Sequence, residues 1–551
     1  MLICLFGGLT LKAQQWGDYT LYSVMNTTTA YLIDTNSNIF HTWNLSGSTG
    51  YSSYLMPGGI LWRTVSHPGN TFNGGGMTGE IQKVDYNGTL LWDYVYSSTT
   101  YCAHHDICPM ANGDVLIISY ESKTNAEVTQ AGSSVNHVMW PDKVIEVQPS
   151  GTNAGTIVWE WHAWDHLCQS YDNTKSNYVS NTADHPELLN INYNNNASIS
   201  DWMHTNGVDY NAALDQIAIS AHNMNELYII DHSTTTAEAA THSGGNSGHG
   251  GDLLYRWGNP AAYGASGSAD FNVVHDAHWI PAGCPHAGYL VGFNNNGISA
   301  NQSCVDLFNP PLNGYNYDHT AGQAYGPATY FWRHACSGHT NDLGNSQQLP
   351  NGNMLVCIAM AGKMYEIDSN QNILWTKTVS GTVPQAFRYT ACYVSGTQPA
   401  VPVISNNGGT LHSSAGTSYQ WYLNGVAIPG ATAQDYTPVQ SGNYQVIVKD
   451  ASGCASDLSA ITAVTVNGVS SANRPNGVWL YPNPGNGMIH LAASAGHSPF
   501  DLQVSDLNGK LLWRQTIQNE ADLSFLPSGL YLVQLTDAAQ AVMHTKLILV
   551  K

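Results

Sequence analysis

Three segments of this chain open a strand-like run with an imidazole set against a polar neighbour. They are His105 in "HHDICPMANGDVLIISY", His204 in "HTNGVDYNAALDQIAIS" and His275 in "HDAHWIPAGCPHAGYLVGF". The neighbours are Asp106, Thr205 and Asp276, and His204 is followed by Asn206 and, eighteen positions on, by His222. These residue types suit transfer of a small anionic group. Neutral imidazole, with an ordinary pKa of about 6.5, is a nucleophile near pH 7. A second imidazole can donate or remove a proton, and a protonated one holds an anion. One buried His is usually a structural hydrogen-bonding residue. Three at the same place in a repeat are harder to explain that way, because a buried imidazole without partners is costly. His278, His339, Ser346, Arg388 and Tyr389 fall near the same positions and complete the set of neighbours expected around such a site.

The elements that must position these residues come in repeats. "AYLIDTNSNIFHTWNL", "IQKVDYNGTLLWDY", "VIEVQPSG" with "IVWEWHAW", "ELYIIDHSTTT" with "LLYRWG", "YFWRHACSGHTNDLGNSQQLPNGNMLVCIA" and "KMYEIDSNQNILWTKT" mark six degenerate copies over the first 395 residues. Each is a strand, an Asx/Gly turn, a strand ending in Trp, then a polar start to the next hairpin. Short strands and tight turns repeated at tens of residues predict a β-propeller, here with six blades. A pair of β-sandwiches would not explain the recurring Asp-x-x-Gly-x-x-x-Trp cadence. In a propeller, residues heading equivalent hairpins share radius and height, so the three imidazoles should meet near the axis.

Composition agrees with an all-β, extracytoplasmic protein. Charged residues are only 10 % of the 551, while Gly (53), Tyr (31) and Trp (16) are abundant. A net charge of −21 argues against nucleic acid as a partner. The region before Val401 holds four Arg (Arg63, Arg256, Arg333, Arg388) against 19 of the 23 His. An anion bound there must rely largely on imidazole. "MLICLFGGLTLKA" reads as a signal peptide, residues 1–13. No later apolar run approaches the roughly 18 residues of a membrane span, so no integral span is expected.

After "GTQPAVPV" the texture changes. Residues 401–467, with Trp421 and "SGNYQVIV", resemble an immunoglobulin-like module. Cys454 has no earlier Cys inside that module to pair with. Residues 476–551, with "NRPNGVWLYPNPGNGMIHL", "VSDLNGKLLWRQ", "LPSGLYLVQL" and "KLILVK", resemble the C-terminal sorting domain of type IX secretion cargo. That resemblance implies the type IX machinery as a partner and secretion, or cell-surface display after periplasmic transit, in a Bacteroidota-type bacterium. The expected fold is thus all-β, a six-bladed propeller (16–396) followed by two small β-sandwich, Ig-like domains.

Over residues 86–395 the chain resembles the arylsulfate sulfotransferase family, on the strength of "DWMHTNGVDYNAALDQIAIS", "VVHDAHWIP" with "GFNNNG", and "NSQQLPNGNMLVCIAMAGKMYEIDSNQNILW" with "FRYT". The resemblance implies that His275 is the nucleophile that becomes sulfated. It places His204, His105 and His222 beside it as catalytic partners, with Asn206 as a substrate-binding residue; Arg388, His278 and Tyr389 join the expected substrate-binding set from the repeat alignment. It implies an aryl sulfate donor, a phenolic acceptor and no cofactor. At the position of His222 the family carries Arg, which holds sulfate bidentately and is always charged; His does neither reliably. The rival class is a propeller that binds glycans or aromatic sulfates without turnover.

Other motifs carry less. "WHAWDH" (His162, His166) and "HDAH" (His275, His278) suggest a metal, but in strands neither spacing gathers ligands, and no Cys or Glu nearby completes a set. No metal is therefore expected. The Gly-rich "HSGGNSGHGGD" (His242 to Asp252) lacks the strand–helix setting of a phosphate loop and reads as a blade insertion.

Overall fold

The structure, a computed structural model, describes residues 17–451, 453–465, 478–481, 487–493, 499–506, 509–518, 520–536 and 542–549. The expected signal peptide, 1–13, lies outside them, as do parts of the sorting region.

Six four-stranded antiparallel sheets among the described residues up to Tyr389 are the expected blades. Blade 2 comprises Thr49–Met56, Ile60–Ser66, Gly79–Val84 and Leu90–Val95. Blade 3 comprises Tyr101–Pro109, Val115–Glu121, Asp142–Ser150 and Ala154–His162. Thr205–Asn211, Gln216–Ala221, Glu226–Asp231 and Tyr255–Trp257 build blade 4. Val274–Trp279, Leu290–Ser299, Gln302–Phe308 and Trp332–Ala335 build blade 5. Blade 6 is Asn345–Gln348, Met354–Ile358, Lys363–Ile367 and Ile373–Thr378. Blade 1 closes the ring: Tyr19–Ser23, Thr29–Asp34 and Ile39–Asn44 are joined by Ala386–Tyr389, with Tyr19 opposite Tyr389 and Tyr22 opposite Ala386. Radial repetition leaves each blade only short, protected strand edges. The first strands of blades 2 to 6 and the Ala386–Tyr389 strand form the inner ring.

Apolar cores fill the gaps between neighbouring sheets. Leu116, Ile118 and Val144 of blade 3 pack with Ile217, Ile219 and Tyr228 of blade 4. The repeated cadence has a physical basis in two bonds. Asp34, Asp85 and Asp368 each accept, through Oδ1, the backbone N–H four residues on, at 2.8, 2.7 and 2.8 Å, which shapes the turn. The buried outer-strand Trp then donates its indole N–H to the next blade. Trp43 reaches Asp85 O (3.0 Å), Trp92 Ala154 O (2.7 Å), Trp159 Thr234 Oγ1 (3.1 Å), Trp257 Pro327 O (2.8 Å) and Trp375 Ser37 Oγ (3.0 Å). Blade 5 departs from the pattern: His334 bonds Gln371 Oε1 (2.9 Å) and Tyr365 Oη (3.0 Å) of blade 6 instead.

Residues 404–464 form two further sheets around Trp421, Tyr444, Val446 and Leu411. Their immunoglobulin-like character rests on the sequence resemblance alone. One expectation is corrected here. Cys454 does have a partner, Cys392, 62 residues earlier in the short helix Ala391–Ser395 that follows the closing strand. The partner was sought inside the module, and it lies in the propeller. The chain from Thr465 onward is a separate unit of two sheets with Leu502, Val504, Val533 and Leu535 at its core. Among the described residues no helix is long and apolar enough to cross a membrane.

Blades 3 and 4 are also tied by charge. His232 sits 2.7 Å from Asp215 Oδ1 and 3.1 Å from Glu146 Oε2. Burial works against its charge, but the two carboxylates outweigh burial and raise its pKa from 6.5 to about 9. The folded chain therefore holds a proton that the unfolded chain releases at lower pH. This stabilisation is complete below pH 6.5 and is lost as pH rises through about 9. His232→Gln should cost roughly 1–2 kcal/mol in the acidic part of that window, discounted for solvent at half-exposed Asp215. Urea unfolding at stepped pH should show that the variant has lost the alkaline decline.

Candidate functional site

The heads of the inner strands are irregular, and that irregularity aims the imidazoles. His105 (φ 49°), His204 (φ 54°), Asp276 (φ 58°) and Leu343 (φ 64°) occupy the left-handed region, which side chains with a Cβ rarely adopt. Pairing slips beside three of them, between Ala103 and Ile107, Thr205 and Gly207, and His275 and His278. Such bulges bend the strand and re-aim a side chain. Here they bring His105, His204 and His275 onto one cavity of about 640 Å³, which His222, at the start of the turn His222–Met224, also lines. Their ring centroids follow one another at 4.6 Å (His105–His204), 4.8 Å (His204–His222) and 5.4 Å (His222–His275). Gly75 and Gly76 lie against the rings. A Cβ on Gly75 would sit 2.2 Å from His204 Cε1, and one on Gly76 would sit 2.1 Å from His105 Nε2.

Each ring has Nδ1 committed to the protein, and the partner sets its tautomer. His204 Nδ1 bonds Asp201 Oδ2 at 2.6 Å, and Tyr120 Oη donates to the same oxygen at 2.8 Å. Burial disfavours charge on both groups, yet their mutual bond prevails, raising the His204 pKa and lowering that of Asp201. His105 Nδ1 lies 2.9 Å from His104 Nδ1, and His104 Nε2 lies 3.2 Å from Asp142 Oδ1. With Asp142 accepting, His104 carries its proton on Nε2. His105 then donates from Nδ1 and keeps a lone pair on Nε2. Burial, followed by the surrounding imidazoles, holds the His105 pKa well below 6.5.

His275 is fixed by an amide. Asn295 Nδ2 donates to Thr340 O (3.0 Å) and Leu343 O (2.8 Å), so its Oδ1 must accept from His275 Nδ1 (2.7 Å). His275 Nε2 is left as an acceptor and takes the Leu343 N–H at 3.0 Å. Burial and then His222 keep this ring well below 6.5. His222 donates from Nδ1 to Asn223 Oδ1 (2.8 Å), while its Nε2 faces Asp342 Oδ1 at 3.4 Å. The arrangement offers two neutral rings with inward lone pairs, one ring biased towards the cation, and no Lys or Arg among the described lining residues.

The four expected catalytic imidazoles are thus brought together, but the four expected binding residues are not. Asn206 is used up in the wall, donating to Val274 O (2.8 Å) and accepting from Ser220 Oγ (2.6 Å). His278 turns away beside Asp276, with Nδ1 3.3 Å from Oδ2; burial opposes its charge, but that carboxylate raises its pKa to about 9. Arg388 lies inside the sheets, 3.1 Å from Glu366 Oε2 and 4.5 Å over the Trp375 ring. Tyr389 Oη accepts the Leu55 N–H at 3.0 Å and joins blades 1 and 2. None of these four is among the residues lining the cavity: repeat position sets the radius of a residue, whereas strand alternation decides which face its side chain takes. The residues missed were Asp201, His104, Asn295, Asp342, Leu343 and the two glycines. The "NGGGM" run was the signal for the glycines, and "HHD" was the signal for His104.

The family model described as Arylsulfotransferase (ASST) matches residues 17–384, and that of a secretion system C-terminal sorting domain matches residues 479–551. The latter implies export to the cell surface or secretion in Bacteroidota. No curated protein matches the chain. Similar solved structures include a protein of unknown function from Bacteroides caccae, 11% identical, covering 67% of this chain and 98% of that one, with a TM-score of 0.38. Virginiamycin B lyase from Staphylococcus aureus is 10% identical over 73% of this chain and 92% of its own, with a TM-score of 0.31. The Dos1 propeller is 9% identical over 87% and 90%, with a TM-score of 0.29. At such scores they carry no argument about the site, and the blade count follows from the strand order above.

The electrostatics lead to a direct test. Sulfate should bind best while His204 is protonated and weaken as pH rises beyond the ordinary imidazole value of 6.5, since His204 is held above it. Asp201→Asn should move that loss to lower pH. Calorimetric titration of sulfate across pH, with NMR of the His204 ring, measures both.

Proposed function

The chain belongs to the arylsulfotransferase family, and from that premise we propose that it moves a sulfuryl group from an aryl sulfate to a phenol through a sulfated His275. One observation carries the reading: His275 Nδ1 is held as a donor by Asn295, so the lone pair is on Nε2, in a cavity with three other imidazoles. In the first half-reaction Nε2 attacks sulfur, an N–S bond forms, and the S–O bond to the aryl group breaks. Protonated His204 gives its Nε2 proton to the leaving phenolate. In the second half-reaction His204, now neutral on that nitrogen, takes the proton of an incoming phenol. The phenolate attacks sulfur, the N–S bond breaks, and His275 is regenerated. Charge building on the sulfuryl oxygens is met by positioned donors, as in phosphoryl transfer. His222 stands where the family has Arg and supplies a donor whose charge depends on its proton.

Leu343 adds a step. Its N–H occupies the His275 lone pair, so attack requires that bond to open, and the released N–H can then turn to a sulfuryl oxygen. The same contact favours the rival reading, an aryl-sulfate-binding propeller whose imidazole is kept capped. Nitrophenol release from 4-nitrophenyl sulfate decides between them: release that depends on added phenol supports transfer, release without acceptor indicates a sulfatase, and binding without release supports the rival.

His275→Ala should abolish transfer, with at least about a thousandfold loss, while sulfate binding persists. The intact protein, quenched during turnover, should carry the sulfuryl mass on the His275 peptide, labile in acid. A label on His105 instead would sink the assignment.

His222→Arg should strengthen donor binding several-fold and flatten its pH dependence, because a guanidinium keeps its charge. The new Arg would face Asp342, so the double variant with Asp342→Asn should bind the donor tighter still. Steady-state KM across pH, read with the coupling among neighbouring imidazoles in mind, gives the answer.

A further inference from the structure

Far from the axis, at the rim between blades 3 and 4, two segments that were unremarkable singly come together. His166 ends the 3-10 turn Ala163–His166 after blade 3, while His242 and Asp252 bracket the Gly-rich loop that precedes the last strand of blade 4. Among the described residues, their ligand atoms form a group lying within 4.8 Å of one another. His166 Nδ1 is 2.8 Å and His242 Nδ1 is 2.7 Å from the same oxygen, Asp252 Oδ1.

The proton inventory of His166 is the informative part. Its Nε2 lies 2.8 Å from Ala239 O, a carbonyl that can only accept, so Nε2 carries a hydrogen. A neutral ring then points a lone pair from Nδ1 at a carboxylate oxygen, acceptor against acceptor. Either a second proton or a metal cation must stand between them. His166 and Asp252 have side chains 0 % and 7 % exposed, where a lone ion pair gains little net stability. An imidazole that donates one N–H to a backbone carbonyl and offers the other nitrogen to a metal is a common ligand arrangement. The ring is rigidly held: it lies parallel to Trp161 at 5.8 Å, and a Cβ on Gly251 would fall 2.6 Å from its Nε2.

We propose that His166, His242 and Asp252 bind a divalent ion of the zinc class, through two Nδ1 atoms and one carboxylate oxygen, and that the ion fastens the 241–252 loop to the rim. Two imidazoles and a carboxylate suit zinc and its neighbours rather than calcium or magnesium. Zinc bonds of about 2.0–2.2 Å put tetrahedral ligands roughly 3.4 Å apart, so the rings must open by about half an ångström. His242, whose side chain is 64 % exposed, can make that movement and provides the entry path. The remaining coordination position is left to water.

The test uses the full chain, stripped with chelator and titrated with zinc alone by calorimetry. The expected result is one tight site per chain, a rise in Tm on zinc addition, and at least about a tenfold loss of affinity in His242→Ala. That variant changes an exposed side chain and should fold normally; Asp252→Asn is the second variant. His204→Gln, at the axis, should leave the tight site unchanged. Absence of tight binding overturns the proposal. So does zinc binding that His242→Ala leaves intact but His204→Gln removes, which would place the ion at the axial imidazoles. Nitrogen NMR showing both His166 ring nitrogens protonated at saturating zinc would likewise overturn it, leaving a hydrogen-bonded ion pair.

Discussion

Each axial imidazole has its Nδ1 taken by the protein, and the partner at that nitrogen governs the rest of the site. Asp201 makes His204 a ring that favours its proton. A His104–Asp142 relay and the Asn295 amide keep His105 and His275 neutral, with lone pairs turned inward. Chemically identical side chains, His105, His204 and His275, thereby differ in their preference for charge within a few ångströms. The partners need partners in turn. Asp201 is held by Tyr120, Asp142 by the Thr205 N–H at 2.7 Å, and Asn295 by two carbonyls of the neighbouring segment. These bonds cross between blades, so the tautomers are properties of the closed ring and not of any one hairpin.

Beneath this layer lies a second, of buried acids. Asp106 accepts the Tyr54 hydroxyl at 2.8 Å, and burial lifts its pKa from 3.8 to about 7. Asp276 accepts the Ser346 N–H at 2.8 Å, and burial raises its pKa as well. Both follow the inward-facing imidazoles directly in sequence, and both spend their oxygens on neighbouring elements. The polar pair heading each of these two hairpins therefore divides its work: the imidazole faces the cavity, and the acid secures the strand that bends to aim it.

Much of this was legible in the sequence, for identifiable reasons. Repetition exposed the six blades, and with them the shared position of His105, His204 and His275. A repeat alignment reports radius and height but not the direction of a side chain. Arg388 and Tyr389 stand on the right strand and face away from the cavity, and Asn206 and His278 are absorbed by the wall. The left-handed residues that do the aiming were invisible, because His105, His204 and Leu343 are not residue types that announce positive φ. Asp201 stood three residues before His204 in a segment read for its other members. Cys454 was matched only against its own module, so its bond to Cys392 went unseen. In each case the missing information was long-range packing.

The indole belt at the circumference has a mechanical meaning. Five of the six junctions between blades are riveted by a Trp N–H, and the junction from blade 5 to blade 6 by His334. A hoop built in this way resists opening everywhere except at its softest rivet, and an imidazole buries less surface than an indole. The seam where the two ends of the propeller meet, which would ordinarily be the point of failure, lies inside a sheet, zipped by the pairing of Tyr19–Tyr22 with Ala386–Tyr389 and backed by the Trp375–Ser37 bond. A load on the folded ring is therefore shifted from the join between chain ends to an interior joint, leaving the axis free to change its chemistry without slackening the frame.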